Sequence, residues 1–171
     1  MPPSLTAPGE GPLPLLLDST VLNNFLKIGR LPLLRTVFPS SLRVAAQVYD
    51  EMRAGGFEAP LQDGVGQGWL RLVAPESGRE TALYGELGKT LGAGEAASLA
   101  IAICRQWAMA TDDRAARRAA ESAAVPLTGS VGILVTAVRA GIIALEEGDR
   151  FLQQMRRHGY RFPVGSLEGL A

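Results

Sequence analysis

The chain contains few of the residues on which many enzymes and metal-binding proteins depend. It has a single cysteine, Cys104, and a single histidine, His158, in 171 residues. One cysteine excludes an internal disulfide, and one histidine excludes the usual Cys/His metal clusters. The glycine-rich patterns of phosphate loops and dinucleotide-binding turns are missing as well. Nucleotide cofactor chemistry is therefore not indicated.

Long apolar runs and an excess of charge of one sign are also missing. No apolar run approaches the ~20 residues that span a bilayer, and residues 13–17 are too short for a secretion signal. We therefore expect a cytoplasmic protein without a membrane partner. Seventeen basic residues balance 17 acidic ones, so no strong general attraction to nucleic acid follows. All the basic residues except Lys27 and Lys89 are arginine, which is suited to bidentate phosphate contacts.

The chain length and the order of patterns predict one α/β domain. Residues 1–12, with four prolines and two glycines, are predicted to be a flexible tail before a single domain over residues 13–171. Apolar segments alternate with helical patterns, which predicts a mostly parallel sheet. The predicted strands are residues 13–17, 35–38, 69–73, 107–111 and 125–127. Helices are predicted to start near residues 21, 41, 78, 91, 114, 129 and 146, and residues 57–68 are predicted to form an irregular loop.

Five carboxylates occur at the ends of these predicted strands or on the helices that follow: Asp18, Glu51, Glu95, Asp112 and Asp113. Parallel strands bring their carboxyl ends to one edge of the sheet, where ligands bind in such folds. Carboxylates gathered there raise one another's pKa unless a cation is bound. Oxygen ligands without His or Cys favour Mg²⁺ or Mn²⁺, and such ions support phosphodiester hydrolysis.

Each acid also has an ordinary structural interpretation. Asp18 and Asp113 are suited to capping helices, Glu95 can answer a helix dipole, and Glu51 can be a solvated surface acid. These interpretations stay open for each residue singly. The five together favour a metal site.

At these residues the chain resembles the PIN-domain family, and more closely a small prokaryotic group once known only as a predicted nucleic-acid-binding domain. The segments that carry the resemblance span residues 15–143 and include Leu16-Leu-Asp-Ser-Thr, Val48-Tyr-Asp-Glu-Met, Leu91-Gly-Ala-Gly-Glu, Thr111-Asp-Asp-Arg and Val125-Pro-Leu-Thr-Gly-Ser. The resemblance implies a three-layer α/β/α sandwich and a Mg²⁺- or Mn²⁺-dependent ribonuclease. It also implies a homodimer, and for many members a toxin role with an antitoxin protein as partner.

The resemblance assigns roles to individual residues. Asp18, Glu95 and Asp113 would hold the metal, and Glu51 and Asp112 would complete the site or position the attacking water. The hydroxyls of Ser19 and Thr111 would support the carboxylates. One departure is Ala97, where the resembling group often carries another acid, so a second metal is not implied.

Four further residues are candidate phosphate contacts: Arg114, Arg117, Thr128 and Ser130. Arg117 can instead pair with Glu121 on a solvated helix face, and Thr128 and Ser130 can instead form an ordinary helix cap. The competing hypothesis for the whole chain is a PIN-like nucleic-acid-binding or protein-interaction module without turnover.

Overall fold

The central sheet has five strands, all parallel, in the computed structural model, which describes residues 12–162 and 164–171. The strands are β1 (Leu15–Leu17), β2 (Leu42–Ala45), β3 (Arg71–Val73), β4 (Ala108–Ala110) and β5 (Leu127–Thr128). Their spatial order is β3-β2-β1-β4-β5. The predicted parallel α/β sheet is confirmed. The central strand β1 and its neighbour β4 are buried along their whole length, as expected for a sheet covered on both faces.

Helices connect the strands and cover both faces of the sheet. Within the described residues they are α1 (Ser19–Lys27), α2 (Leu31–Val37), α3 (Ala46–Ala54), α4 (Glu58–Gly66), α5 (Gly78–Leu87), α6 (Ala93–Arg105), α7 (Arg114–Ser122), α8 (Ser130–Arg139) and α9 (Leu145–Arg157). Helix α6 packs on β1, β2 and β4 and against α3 and α5, while α1 and α9 both pack on α8. The result is the three-layer α/β/α sandwich that the family resemblance implies.

Three local predictions are wrong. Residues 35–38 were expected to be a strand, but they continue α2 because Leu31 and Leu34, one helical turn apart, both face the core. A helix was expected from Ser41, but Leu42–Ala45 is strand β2 and the helix starts only at Ala46. In both segments the packing against the sheet outweighs the local pattern.

The glycine-rich stretch 57–68 is also not the irregular loop that its composition predicts. Most of it forms α4, which buries Leu61 and packs Gly64 against Trp69. A Cβ atom at Gly64 would lie 2.8 Å from Cζ2 of Trp69, so this glycine permits close packing of the helix on the indole ring.

Further predictions concern the two ends of the chain and the possibility of a membrane-spanning helix. The final helix, α9, ends at Arg157, and the residue that caps it, His158, is exposed. No helix in the described part of the chain combines the length and apolar character needed to cross a membrane. The predicted flexible tail falls, apart from Pro12, outside the described residues.

Candidate metal centre

The candidate site lies where the direction of the sheet's growth changes. From β1 the chain adds β2 and β3 on one side, and then β4 and β5 on the other. Leu17 of β1 is paired with Ala110 of β4, so the next residues, Asp18 and Thr111, emerge side by side. A crevice beyond the strands at such a switch point is the usual ligand site in parallel α/β sheets.

Asp18 is the most deeply buried of the five acids. It caps α1, and its carboxylate accepts hydrogen bonds from the backbone N–H of Ser19 at 2.8 Å and from the hydroxyls of Thr20 at 2.9 Å and Thr111 at 2.7 Å. Burial raises the pKa of Asp18, the three hydrogen bonds work against that rise, and the nearby charge of Glu51 adds to it. A carboxylate held in this way is destabilised in its charged form unless a cation compensates.

Two threonine hydroxyls connect the ends of β1 and β4. Thr111 Oγ1 donates to Asp18 and accepts from the backbone N–H of Asp113 at 3.1 Å. Thr20 Oγ1 donates to Asp18 and accepts from the backbone N–H of Asp112 at 3.0 Å. The supporting role expected for Thr111 therefore has a geometric basis.

Ser19 contacts Asp18 through its backbone N–H, and the second supporting hydroxyl belongs to Thr20. This role of Thr20 was not predicted from the sequence. A signal for it exists in the chain, because Asp18-Ser-Thr20 mirrors the Thr111-Asp-Asp113 spacing at the neighbouring strand end.

Asp113 caps α7 and accepts from the backbone N–H of Ala116 at 2.8 Å through Oδ1. Its Oδ2 atom makes no hydrogen bond within the described part of the chain. The capping interpretation of Asp113 is thus realised with one oxygen, and the other oxygen remains available to a ligand.

Glu51 and Glu95 lie near the start of α6. Glu51, on α3, accepts from the backbone N–H of Gly94 at 2.9 Å, and Glu95 accepts from the backbone N–H of Gly92 at 2.7 Å. A Cβ atom at Gly94 would lie 2.9 Å from Glu51 Oε2, so a glycine is needed for this approach. The exposed Glu51 therefore contributes to capping α6 across the fold.

Electrostatics connects these acids into one group. Partial burial raises the pKa of Glu95, and the charges of Asp18, Asp113 and Glu51 raise it further, while the hydrogen bond from Gly92 lowers it. We call Asp18, Glu51, Glu95 and Asp113 the acidic cluster. In the described residues, no lysine or arginine nitrogen lies within 4.0 Å of any of these carboxylates.

Asp112 is engaged in a separate network. Its carboxylate accepts from Asn24 Nδ2 at 3.0 Å, from the backbone N–H and hydroxyl of Ser130 at 3.0 and 2.5 Å, and from the Tyr160 hydroxyl at 3.2 Å. A Cβ atom at Gly129 would lie 2.6 Å from Asp112 Oδ1. Asp112 thus joins the end of β4 to α1, to the start of α8 and to the segment after α9. Sequence analysis identified neither Asn24 nor Tyr160, because both are far from Asp112 along the chain.

The donor set of the acidic cluster fits a hard divalent cation. All four side chains offer carboxylate oxygens, and Glu51 Oε2, Glu95 Oε1 and Asp113 Oδ2 carry no hydrogen bond within residues 12–162 and 164–171. In the same residues, no three carboxylate, imidazole or thiolate groups are already placed to share one ion. Ion binding therefore requires side-chain rotations, since each acid now accepts from a backbone N–H at the start of a helix.

The candidate phosphate contacts have different environments. Arg114 is exposed, whereas Arg117 donates to the carbonyl oxygens of Thr111 at 2.9 Å and Thr128 at 3.2 Å and so ties β4 to β5. Thr128 and Ser130 are buried, and Ser130 is hydrogen-bonded to Asp112. No ion pair between Arg117 and Glu121 occurs in the described part of the chain. The phosphate-contact role of these residues stays a prediction.

Fold and site together define a parallel α/β/α domain with carboxylates at its switch point. A family model described as a PIN domain matches residues 14–169, and the chain therefore belongs to the PIN-domain family. PIN domains are generally nucleases and typically use divalent metal ions. No curated protein matches the chain.

Proposed function

We propose that this protein is a Mg²⁺- or Mn²⁺-dependent endoribonuclease of PIN type that hydrolyses RNA phosphodiester bonds. The observation that carries the proposal is the convergence of four acids from separate elements at the switch point, with the pKa of Asp18 and Glu95 raised by burial and by neighbouring carboxylates. Acids in this arrangement lower their free energy when a cation is bound among them.

Asp18, Glu95 and Asp113 would hold the metal, and Glu51 would complete the site. When bound, a divalent ion would lower the pKa of a coordinated water and neutralise charge on the phosphate. The free Oε2 of the exposed Glu51 is suited to orienting a water molecule at the rim of the site.

The protein's own hydrogen bonds would hold the ligands in place. Thr111 and Thr20 fix the orientation of Asp18, and Thr111 also fixes the backbone at Asp113. Such outer contacts orient ligand carboxylates and strongly influence metal affinity. We assign Asp112 to this supporting framework, since four hydrogen bonds already engage its carboxylate.

The biological setting that we propose rests on the family resemblance. We propose a cytoplasmic enzyme that acts as the toxin of a toxin–antitoxin pair, as a homodimer with an antitoxin protein as partner. A segment of such a partner would inhibit the enzyme by occupying the crevice beyond β1 and β4.

A second candidate function is a PIN-like binding module without turnover. The observation in its favour is Ala97, which is fully buried and supplies no carboxylate where the resembling group often has one. Such a protein would bind RNA equally well after removal of divalent metal and would not cleave it.

The test compares wild-type protein with Asp18→Asn, an isosteric change that removes the charge. The matched control is Asp50→Asn, because Asp50 is an exposed acid next to Glu51 whose only ion-pair partner in the described residues is Arg53. Mn²⁺ binding is measured by calorimetry. Cleavage of a mixed RNA pool is measured on the same samples, and folding is checked by circular dichroism.

We expect Asp18→Asn to lose Mn²⁺ affinity and to cleave at least about 100-fold more slowly, because removal of a ligand exceeds the 10–100-fold effect of residues behind the ligands. The control should retain both properties. Folded wild-type protein that neither binds millimolar Mn²⁺ nor cleaves RNA would refute the enzyme and leave the four acids as helix caps.

A further inference from the structure

A cleft with basic walls opens beside the acidic cluster. Its volume is about 590 Å³, and α1, the start of α7 and the segment after α9 form its walls. We call it the basic cleft, defined by Lys27, Arg114 and Arg161, with Asp112 and Asp113 at its inner side. It therefore reaches the same strand end, that of β4, from which the proposed metal ligand Asp113 emerges.

The three cations of the basic cleft are free to meet a ligand. All three side chains belong to exposed residues. No carboxylate lies within 4.0 Å of their charged nitrogens in the part of the chain that the structure describes. Asp112, one of the two acids on the inner side, already accepts four hydrogen bonds. The cleft thus offers positive charge that none of the described residues uses in an ion pair.

An aromatic pair adjoins the basic cleft. A smaller pocket of about 250 Å³ shares Arg114, Tyr160 and Arg161 with the cleft and is also lined by Phe162. The rings of Tyr160 and Phe162 are stacked, with centroids 6.2 Å apart and planes inclined by 11°. The hydrogen bond from the Tyr160 hydroxyl to Asp112 fixes the ring position relative to β4. Both residues are only half-buried, so apolar ring surface remains accessible.

We propose that the basic cleft and the aromatic pair bind single-stranded RNA. Lys27, Arg114 and Arg161 contact the phosphates, and one base stacks on the accessible ring surface of Tyr160 or Phe162. This inference rests on the proposed ribonuclease function, since it places the strand beside Asp113. Cations that follow the backbone and aromatic rings that stack bases are the usual combination in single-strand binding. A duplex offers no free base face for stacking, so the arrangement disfavours it.

The test measures binding without cleavage. Fluorescence anisotropy follows a labelled single-stranded RNA of mixed sequence in EDTA over a series of salt concentrations. The variants are Lys27→Ala, Arg161→Ala and Phe162→Ala. Arg79→Ala is the matched control, because Arg79 is an exposed arginine on α5, away from the cleft.

We expect Lys27→Ala and Arg161→Ala each to weaken binding and to reduce the slope of log affinity against log salt by about 0.7, the value for one lost phosphate contact on a single strand. Phe162→Ala should weaken binding by about fivefold or more with little change in that slope, because stacking rather than charge is lost. Arg79→Ala should bind like wild-type protein.

Competitors identify the ligand. Unlabelled single-stranded RNA should displace the probe more effectively than duplex RNA of the same sequence. Equal displacement by the duplex would overturn the single-strand assignment. Wild-type protein that does not bind the probe, or cleft variants that bind like Arg79→Ala, would overturn the proposed surface.

Cleavage assays with Mn²⁺ on the same samples separate this inference from the proposed function. Binding that depends on the cleft, without cleavage, would refute the ribonuclease and leave the binding surface in place. Cleavage by wild-type protein, with binding unchanged in all three cleft variants, would refute the surface and leave the ribonuclease in place.

Discussion

Glu80 and the acidic cluster differ in the groups that surround their carboxylates. Glu80 on α5 is almost fully buried and is hydrogen-bonded to Arg105 of α6, with Nε to Oε1 at 2.7 Å. Its carboxylate also accepts from the backbone N–H groups of Glu76 and Ser77. The hydrogen bond from Arg105 is the main reason that the pKa of Glu80 falls to about 2.

The acidic cluster is the opposite case. Asp18 is as buried as Glu80, but its hydrogen-bond donors are neutral hydroxyl and amide groups, and its charged neighbour is Glu51. The pKa of Asp18 and that of Glu95 are therefore raised rather than lowered.

The two cases differ in whether the fold itself provides a counter-charge for the carboxylate. The fold neutralises Glu80 with its own arginine, and the pair holds α5 on α6. Within residues 12–162 and 164–171 it supplies no cation for the acidic cluster, although 15 arginines occur in the chain. This lack of a counter-charge supports our proposal that the acidic cluster binds a cation from solution.

The largest expected effect on stability comes from breaking the compensated pair. Glu80→Gln leaves the partly buried Arg105 without its counter-charge, and we expect a loss of about 2–3 kcal/mol in the free energy of unfolding, somewhat below the cost for fully buried pairs. Chemical denaturation at neutral pH measures it. Glu86→Gln, which breaks an exposed pair with Lys89, is the control and should cost less than about 0.5 kcal/mol.

The pH dependence of this loss follows from the lowered pKa. The contribution of Glu80 is fully present above its ordinary pKa of 4.5 and disappears as the pH falls toward about 2. The free energies of unfolding of wild-type protein and Glu80→Gln should therefore become similar in strong acid. A difference that stayed constant down to pH 2 would contradict the role of charge in this pair.

A smaller effect is expected from the hydroxyl that supports the acidic cluster. Thr111→Val removes a donor to Asp18 and an acceptor for the backbone N–H of Asp113, which should cost about 1–2 kcal/mol of stability. We also expect Mn²⁺ affinity to fall by about 10-fold, as for other residues that orient metal ligands. Calorimetry and denaturation measure the two quantities.

The control for this change is Thr136→Val, which removes a hydroxyl bonded to the carbonyl oxygen of Gly132 within α8. If the two valine variants bind Mn²⁺ equally well, Thr111 does not support a metal site.

The sequence was most informative where local chemistry and structure coincide. The apolar runs that end at Asp18 and at Asp112-Asp113 predict two buried strands and a site at the sheet edge where both end, because a buried parallel strand is apolar throughout. The strand β2 was missed because Leu42, Ala45, Ala46 and Val48 also fit a helical stripe. Pairing with β1 and β3 makes Leu42–Ala45 extended.

Contacts between residues far apart along the chain also could not be predicted from the sequence. The hydrogen bonds from Asn24 and Tyr160 to Asp112 join residues 88 and 48 positions apart, and no local pattern encodes them. The separate hydrogen-bond network around the Asp112 carboxylate could therefore not be predicted from the sequence.

The proposal that the acidic cluster binds a cation is tested most directly by thermal unfolding. Wild-type protein and Asp18→Asn are compared between pH 4 and pH 7, in EDTA and with saturating Mn²⁺. Because the pKa of Asp18 is raised above its ordinary 3.8, its favourable contribution is present at low pH and is lost as the pH rises. In EDTA, wild-type protein should therefore lose stability relative to Asp18→Asn as the pH increases.

Mn²⁺ should reverse this trend in wild-type protein and have no effect on Asp18→Asn. An ion at a hundred times its Kd adds about 2.7 kcal/mol, which is roughly 5–10 °C in Tm for a domain of this size. If the Tm of both proteins depended on pH in the same way and Mn²⁺ changed neither, the claim that the acidic cluster binds a cation would be contradicted.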